Sequence, residues 1–162
     1  MTDPARFRQA MAQFASGVTV VTTVKDGVPS GLTASSFASL SIEPPLLLVC
    51  LQKTLGAHRI IEETGIFAVN VLASRQLDIG RRFAGLQPET SDRFTGTEWM
   101  TAVTGSPVLP GCLAWADCRV WNIYDGGDHS IFVGAVEEVS ASDDGEPLLY
   151  HNRLWGRGLF RE

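Results

Sequence analysis

Hydrophobic and polar residues alternate most regularly over residues 31 to 51, GLTASSFASLSIEPPLLLVCL. The even positions Leu32, Ala34, Ser36, Ala38, Leu40 and Ile42 are mostly apolar, while the odd positions gather Thr33, Ser35, Ser39 and Ser41 around Phe37. A period of two predicts a strand with one oily face and one hydroxyl face. An ordinary half-buried strand would carry Lys, Glu or Arg on its wet side, whereas short hydroxyl donors suit a surface pressed against a polar ligand. The segment reads as a binding wall. Pro44-Pro45 then breaks the chain, and Leu46 to Leu51 is too continuously apolar for an edge strand, which predicts a place at the centre of a sheet.

The remaining pattern is mostly strand. Phe7, Ala10, Met11 and Phe14 recur at helical spacing after Asp3-Pro4 and before Gly17, which predicts a short amphipathic helix. VTVVTTV (18 to 24) is β-branched throughout and ends at KDGVP, a hairpin signal. A helix over about 55 to 64 stopped by Gly65, a strand at 66 to 72 and a helix from a Ser74 cap to Phe83 follow. The polar stretch QPETSDRF after Gly85 reads as a mobile loop. Residues 112 to 124 and 129 to 142 form two long strands joined at Asp125-Gly126-Gly127-Asp128, and the tail PLLYHNRLWGRG reads as irregular. Strands outnumber helices and hairpins join most of them, so the expected fold is mainly β, an antiparallel barrel with a few peripheral helices. The chain lacks GxGxxG and Walker A sequences, so a nucleotide must be held in another way.

Composition narrows the function. With 162 residues, 44% of them hydrophobic, the chain can bury a core, and one domain over 1–162 is expected. A formal charge of -5 argues against an electrostatic grip on nucleic acid or anionic membrane. The start lacks an apolar leader and the longest apolar run is too short to span a bilayer, so a cytoplasmic protein is expected. Cys50, Cys112 and Cys118 have no metal spacing and read as reduced core residues; an even separation on one strand argues against a Cys112–Cys118 bridge.

FASGVTVVTT (14 to 23), the 31 to 51 segment, FAVNVLA (67 to 73), RRFAG (81 to 85), GDHSIFVGAV (127 to 136) and PLLY (147 to 150) occur in an order and spacing specific to one family. The chain resembles the flavin reductase domain of the FMN-binding split-barrel type, which includes small reductase components of two-component flavin monooxygenases. The resemblance implies a split β-barrel that uses NADH or NADPH to reduce FMN or FAD. It also implies a homodimer with flavin near the subunit interface and a separate oxygenase that receives reduced flavin. The alternatives are an FMN-binding electron carrier or redox sensor without nicotinamide turnover and, less favoured for want of Lys and Arg at the phosphate turn, a B6 oxidase relative.

Flavin needs small donors and close backbone approach, which Thr33, Ala34, Ser35 and Ser36 offer, unless those hydroxyls merely satisfy nearby backbone. Cys50, Leu51 and Gln52 lead into a turn where Thr54 either helps a helix N-terminus hold phosphate or is a plain cap. His58, one turn on, reaches the same phosphate or lies on the surface. Arg82 suits a phosphate or adenylate and Phe83 a ring or dimer contact. His129, placed by the resemblance near the flavin ring and nicotinamide, would fix orientation or supply a proton. Tyr150 and Trp155 stack on an aromatic ligand or close the core. Arg153, Arg157 or Arg161 could serve a 2′-phosphate.

Overall fold

Two-residue turns with positive φ set the register of the sheet. In the computed structural model, which describes residues 2–87 and 92–158, Asp26 and Gly27 take φ of 51° and 77°, the mirror-image turn that matches strand twist. They join β2 (Thr19–Lys25) to β3 (Val28–Ala34). Ahead of them come α1 (Pro4–Met11), capped by the Asp3 carboxylate, and the short β1 (Ser16–Gly17). After β3 the chain forms β4 (Phe37–Ser41), β5 (Leu46–Gln52), α2 (Gly56–Thr64) and β6 (Ile66–Val71). A 3-10 turn (Ser74–Gln76) leads into α3 (Leu77–Phe83), followed by the two-residue strands β7 (Met100–Thr101) and β8 (Pro107–Val108). The long hairpin β9 (Ala114–Gly126) and β10 (His129–Ala141) precedes β11 (Leu148–His151) and β12 (Leu154–Arg157).

Seven of these strands form one antiparallel sheet in the order β3-β2-β6-β9-β10-β5-β4. Its two edges, β3 and β4, are consecutive in the chain yet pair with different neighbours, so the sheet rolls into a split barrel with its seam at Ser35-Ser36. The single long strand expected over 31 to 42 is therefore two strands. Its alternation holds through Leu32 and Ala34, which are buried, and fails beyond the seam, where Ala38, Leu40 and Ile42 are exposed. The apolar run Leu46–Leu51 lies between β10 and edge strand β4 rather than at the centre, and only its alternate residues Leu47, Val49 and Leu51 are fully buried.

The sheet buries residues on both faces. Val21, Val49, Leu51, Ile61, Phe67 and Phe132 fill the barrel with α2 packed at one end. Val18, Val20, Leu72, Phe83 and Leu148 form a second cluster under α3 and the C-terminal hairpin. That hairpin corrects the irregular tail: Asn152 and Arg153 take φ of 48° and 66°, and β12 pairs with β11, which pairs with β1. Buried Asn70 ties the layers, donating to the Val20 carbonyl and accepting from the Leu109 N–H. The N-terminal helix stops at Met11 and buries none of its residues. Among the described residues, no helix is long and apolar enough to cross a membrane.

Candidate functional site

The strand pairing brings the end of β5 against the start of β10. His129 lies opposite Gln52 and Gly126, and Ile131 opposite Cys50 and Tyr124. Directly paired antiparallel residues project to the same side, so His129, Gln52, Cys50 and Tyr124 share one face. Leu51 points the other way, into the core, and offers only its backbone here. The His129 Nδ1 lies 2.7 Å from the Asp128 carboxylate, which this contact holds below the usual aspartate range. Continuing the β4–β5 ladder by one step, the Ser36 hydroxyl donates to the Cys50 carbonyl at 2.7 Å, while the Cys50 N–H donates to the Ser36 carbonyl at 3.1 Å. Partial burial raises the Cys50 thiol above the ordinary range.

Not every hydroxyl of the predicted wall is free. Thr33 donates to the Gly80 carbonyl at 2.7 Å and so ties β3 to α3, and Ser36 is committed to β5. Ser35, at the break itself, is exposed and lines a cleft of about 350 Å³ with Phe14, Ser16 and Phe37.

A second cleft, about 310 Å³, opens at the start of α2 and is lined by Ser30, Gly31, Leu55, Gly56, Ala57 and Arg93, among others. The helix begins one residue later than Thr54 implied: Leu55 is its N-cap, no side chain satisfies the first amides, and the first turn carries no acidic residue. Uncapped amides and the positive end of the helix dipole favour an anion. Arg93, held by donation to the Gly31 carbonyl at 2.9 Å, adds a guanidinium to the same cleft. Asp92 also lines the cleft, but its carboxylate accepts from the Phe94 N–H and the Thr95 hydroxyl, and the remaining groups suit a phosphate.

Other expected residues lie elsewhere. His58 is buried rather than on the surface, with Nε2 2.9 Å from the Ser130 hydroxyl and its ring edge-on to Phe132. Arg82 donates to the Thr95 carbonyl and the Thr97 hydroxyl, holding the segment beside Arg93, and Phe83 is buried edge-on to Phe94. Tyr150 and Trp155 face each other across the C-terminal hairpin, ring centroids 5.2 Å apart, against the second core cluster. The expected mobile loop falls in good part on residues 88–91, outside the described residues, as does Arg161. Sequence reasoning missed Arg93 and Tyr124. The one signal for Arg93 was a lone arginine beside an aromatic in a polar loop; nothing marked Tyr124 until β9 and β10 were in register.

The chain is similar to known proteins over nearly its whole length. Residues 11–157 match the family model described as flavin reductase like domain. The chain is 46% identical over 149 residues to the flavin-dependent monooxygenase reductase subunit HsaB of Rhodococcus jostii, covering 92% of this chain and 75% of that protein. The fold is shared with BorF, the flavin reductase component of a bacterial two-component tryptophan halogenase, at a TM-score of 0.89 and 38% identity, over 98% of this chain and all of that one. It is shared equally with the Streptomyces globisporus NADH:FAD oxidoreductase SgcE6, solved with NAD and FAD fragments: TM-score 0.89, 33% identity, 98% of this chain and 96% of that chain. With its split-barrel topology and a family match over nearly its whole length, the chain belongs to the flavin reductase like domain family.

Proposed function

We propose that the protein is an NAD(P)H-dependent flavin reductase whose ligands lie along the β3–β4 seam between the Arg93 cleft and His129. The observation that carries the reading is the convergence of Arg93 and the uncapped amides of α2 on one cleft, beside the first half of β3, the strand that leads into the seam. Arg93, Ser30 and those amides hold the flavin phosphate, and Thr54 borders them. The seam backbone, from Ala34 to Ser36 and from Cys50 to Gln52, approaches the ribityl chain and ring closely, with Ser35 donating. Flavin held there would supply the acceptor for hydride from the reduced nicotinamide. The protein's task is then orientation: His129, fixed through Nδ1 by Asp128, presents its other nitrogen to the reacting rings, and no side-chain nucleophile is required.

The same reading gives a homodimer. Phe14 and Ile42 are 77% and 86% exposed, and with Phe37, Trp115 and Val139 they border apolar clefts that open beside the seam. A second copy would cover this surface and close the site over the flavin. Reduced flavin passes to a separate oxygenase, as the relatives named as reductase subunits suggest. Three unpaired thiols suit the cytoplasm.

The test mixes the purified chain with NADH or NADPH and FMN or FAD. Loss of the flavin band near roughly 450 nm is the expected result, and no bleaching with any of the four pairs sinks the reading. Light scattering should give about twice the 17.5 kDa chain mass.

A further inference from the structure

We propose that Lys53 is a positioning residue for nicotinamide use, clamping the tip of the β9–β10 hairpin to the connection between β5 and α2 and so placing His129 relative to the flavin cleft. The proposal rests on the flavin reductase reading above. Lys53 grips both sides of the two-residue turn at Gly127-Asp128. Its backbone N–H donates to the Asp128 carbonyl at 3.0 Å, and its ammonium pairs with the Asp125 carboxylate. His129 follows Asp128 directly and its ring is held by that residue's side chain, so whatever fixes Asp128 fixes the imidazole.

The clamp also has a far end. Gln52, immediately before Lys53, is the strand partner of His129, and Leu55, two residues after it, caps the helix whose amides face Arg93. One residue therefore sets the separation between the group beside the reacting rings and the group beside the phosphate.

Charge placement fits the role. Four groups meet at the tip: Lys53 from the β5–α2 connection, Asp125 from β9, Asp128 from the turn and His129 from β10. Lys53 holds Asp125 below the usual aspartate range, and Asp128 is held down first by His129 and then by Lys53. The Asp125 and Asp128 side chains are 78% and 82% exposed, and an exposed ion pair alone contributes little to stability. A pair backed by a main-chain hydrogen bond acts on position instead. Removing it should leave the fold intact and move the ligand that His129 orients.

The experiment uses the full chain with FMN and whichever nicotinamide the wild type oxidises. Lys53→Met, Asp125→Asn and the double variant are compared for FMN affinity by fluorescence, for KM and kcat, and for Tm. Each single variant should raise the nicotinamide KM about fivefold, with kcat and FMN affinity within about twofold of wild type. The double variant should be no worse than either single one, because both remove the same contact. Lys53→Arg should restore KM to within about twofold of wild type. The proposal is overturned if Lys53→Met leaves KM unchanged, if FMN affinity falls in step with KM, or if the two single losses multiply. Should the wild type oxidise no nicotinamide, the functional reading fails while the clamp is still decided by hydrogen exchange. Residues 124–130 must then exchange faster in Lys53→Met, and unchanged exchange refutes the clamp.

Discussion

His58 and Ser130 meet inside the barrel, Nε2 to Oγ at 2.9 Å, although 72 residues separate them. The contact joins α2, whose first turn faces the anion cleft, to β10, whose first residue is His129. Replacing His58 by Leu leaves the Ser130 hydroxyl buried without a partner, which should cost about 1–3 kcal/mol in urea unfolding. Flavin affinity of the folded protein should change less than twofold or so, because the imidazole is spent on the core. A tenfold or so loss of affinity at unchanged stability would return His58 to the ligand.

Gly134 and Phe67 test the packing that holds β10. A Cβ at Gly134 would come 2.5 Å from the Phe67 ring and 2.9 Å from the Cys118 Cβ. Gly134→Ala should destabilise the protein by about 1–3 kcal/mol, read as a lower denaturation midpoint. Phe67→Leu added to it should recover part of the loss, since the clash and the ring disappear together.

The anion cleft predicts a difference between two flavins. Arg93→Gln should weaken FMN binding about tenfold and flatten its dependence on salt. Riboflavin, which lacks the phosphate, should bind wild type and variant alike. Fluorescence titration of both ligands decides the matter: equal losses for the two would place Arg93 away from the phosphate.

The thiols should separate by burial. Desolvation pushes Cys112 up to about 11 and Cys118 up to about 12, so both stay neutral and shielded at pH 8. Cys50 is also raised but only half-buried on the face it shares with His129. Native protein should therefore release at most one equivalent from a disulfide reagent at pH 8, at Cys50, and bound FMN should slow that release. Raising the pH should speed it, because the thiolate grows with pH up to a raised pKa.

Elements whose pattern and partners are local were legible in the sequence. The hairpin at Asp26-Gly27, the stop at Gly65 and the strand 66 to 71 need only their neighbours. The strand over 31 to 42 misled because alternation continues across a seam where the chain changes partners, and no local residue records that change. The same limit hid the site's second half. Ser35 and His129 stood out by type or resemblance, while Arg93 and Tyr124 matter only through where the rolled sheet and the α3 loop place them. His58 misled for the same reason: Ser130, which meets it in the core, lies on a strand 72 residues away.

The adjacency of the sheet's two edges also bears on how the molecule becomes complete. Strands β3 and β4 leave Ser35-Ser36 in opposite directions around the barrel, so the ligand groove takes shape only after the long-range pairings of β6, β9, β10 and β5 have formed. If flavin lies across this groove as proposed, it joins two edges that the chain itself connects only at Ser35-Ser36, and works as a rivet. An empty chain should breathe at this join while the rest of the barrel stays shut, which would give flavin a route in and out without unfolding its host.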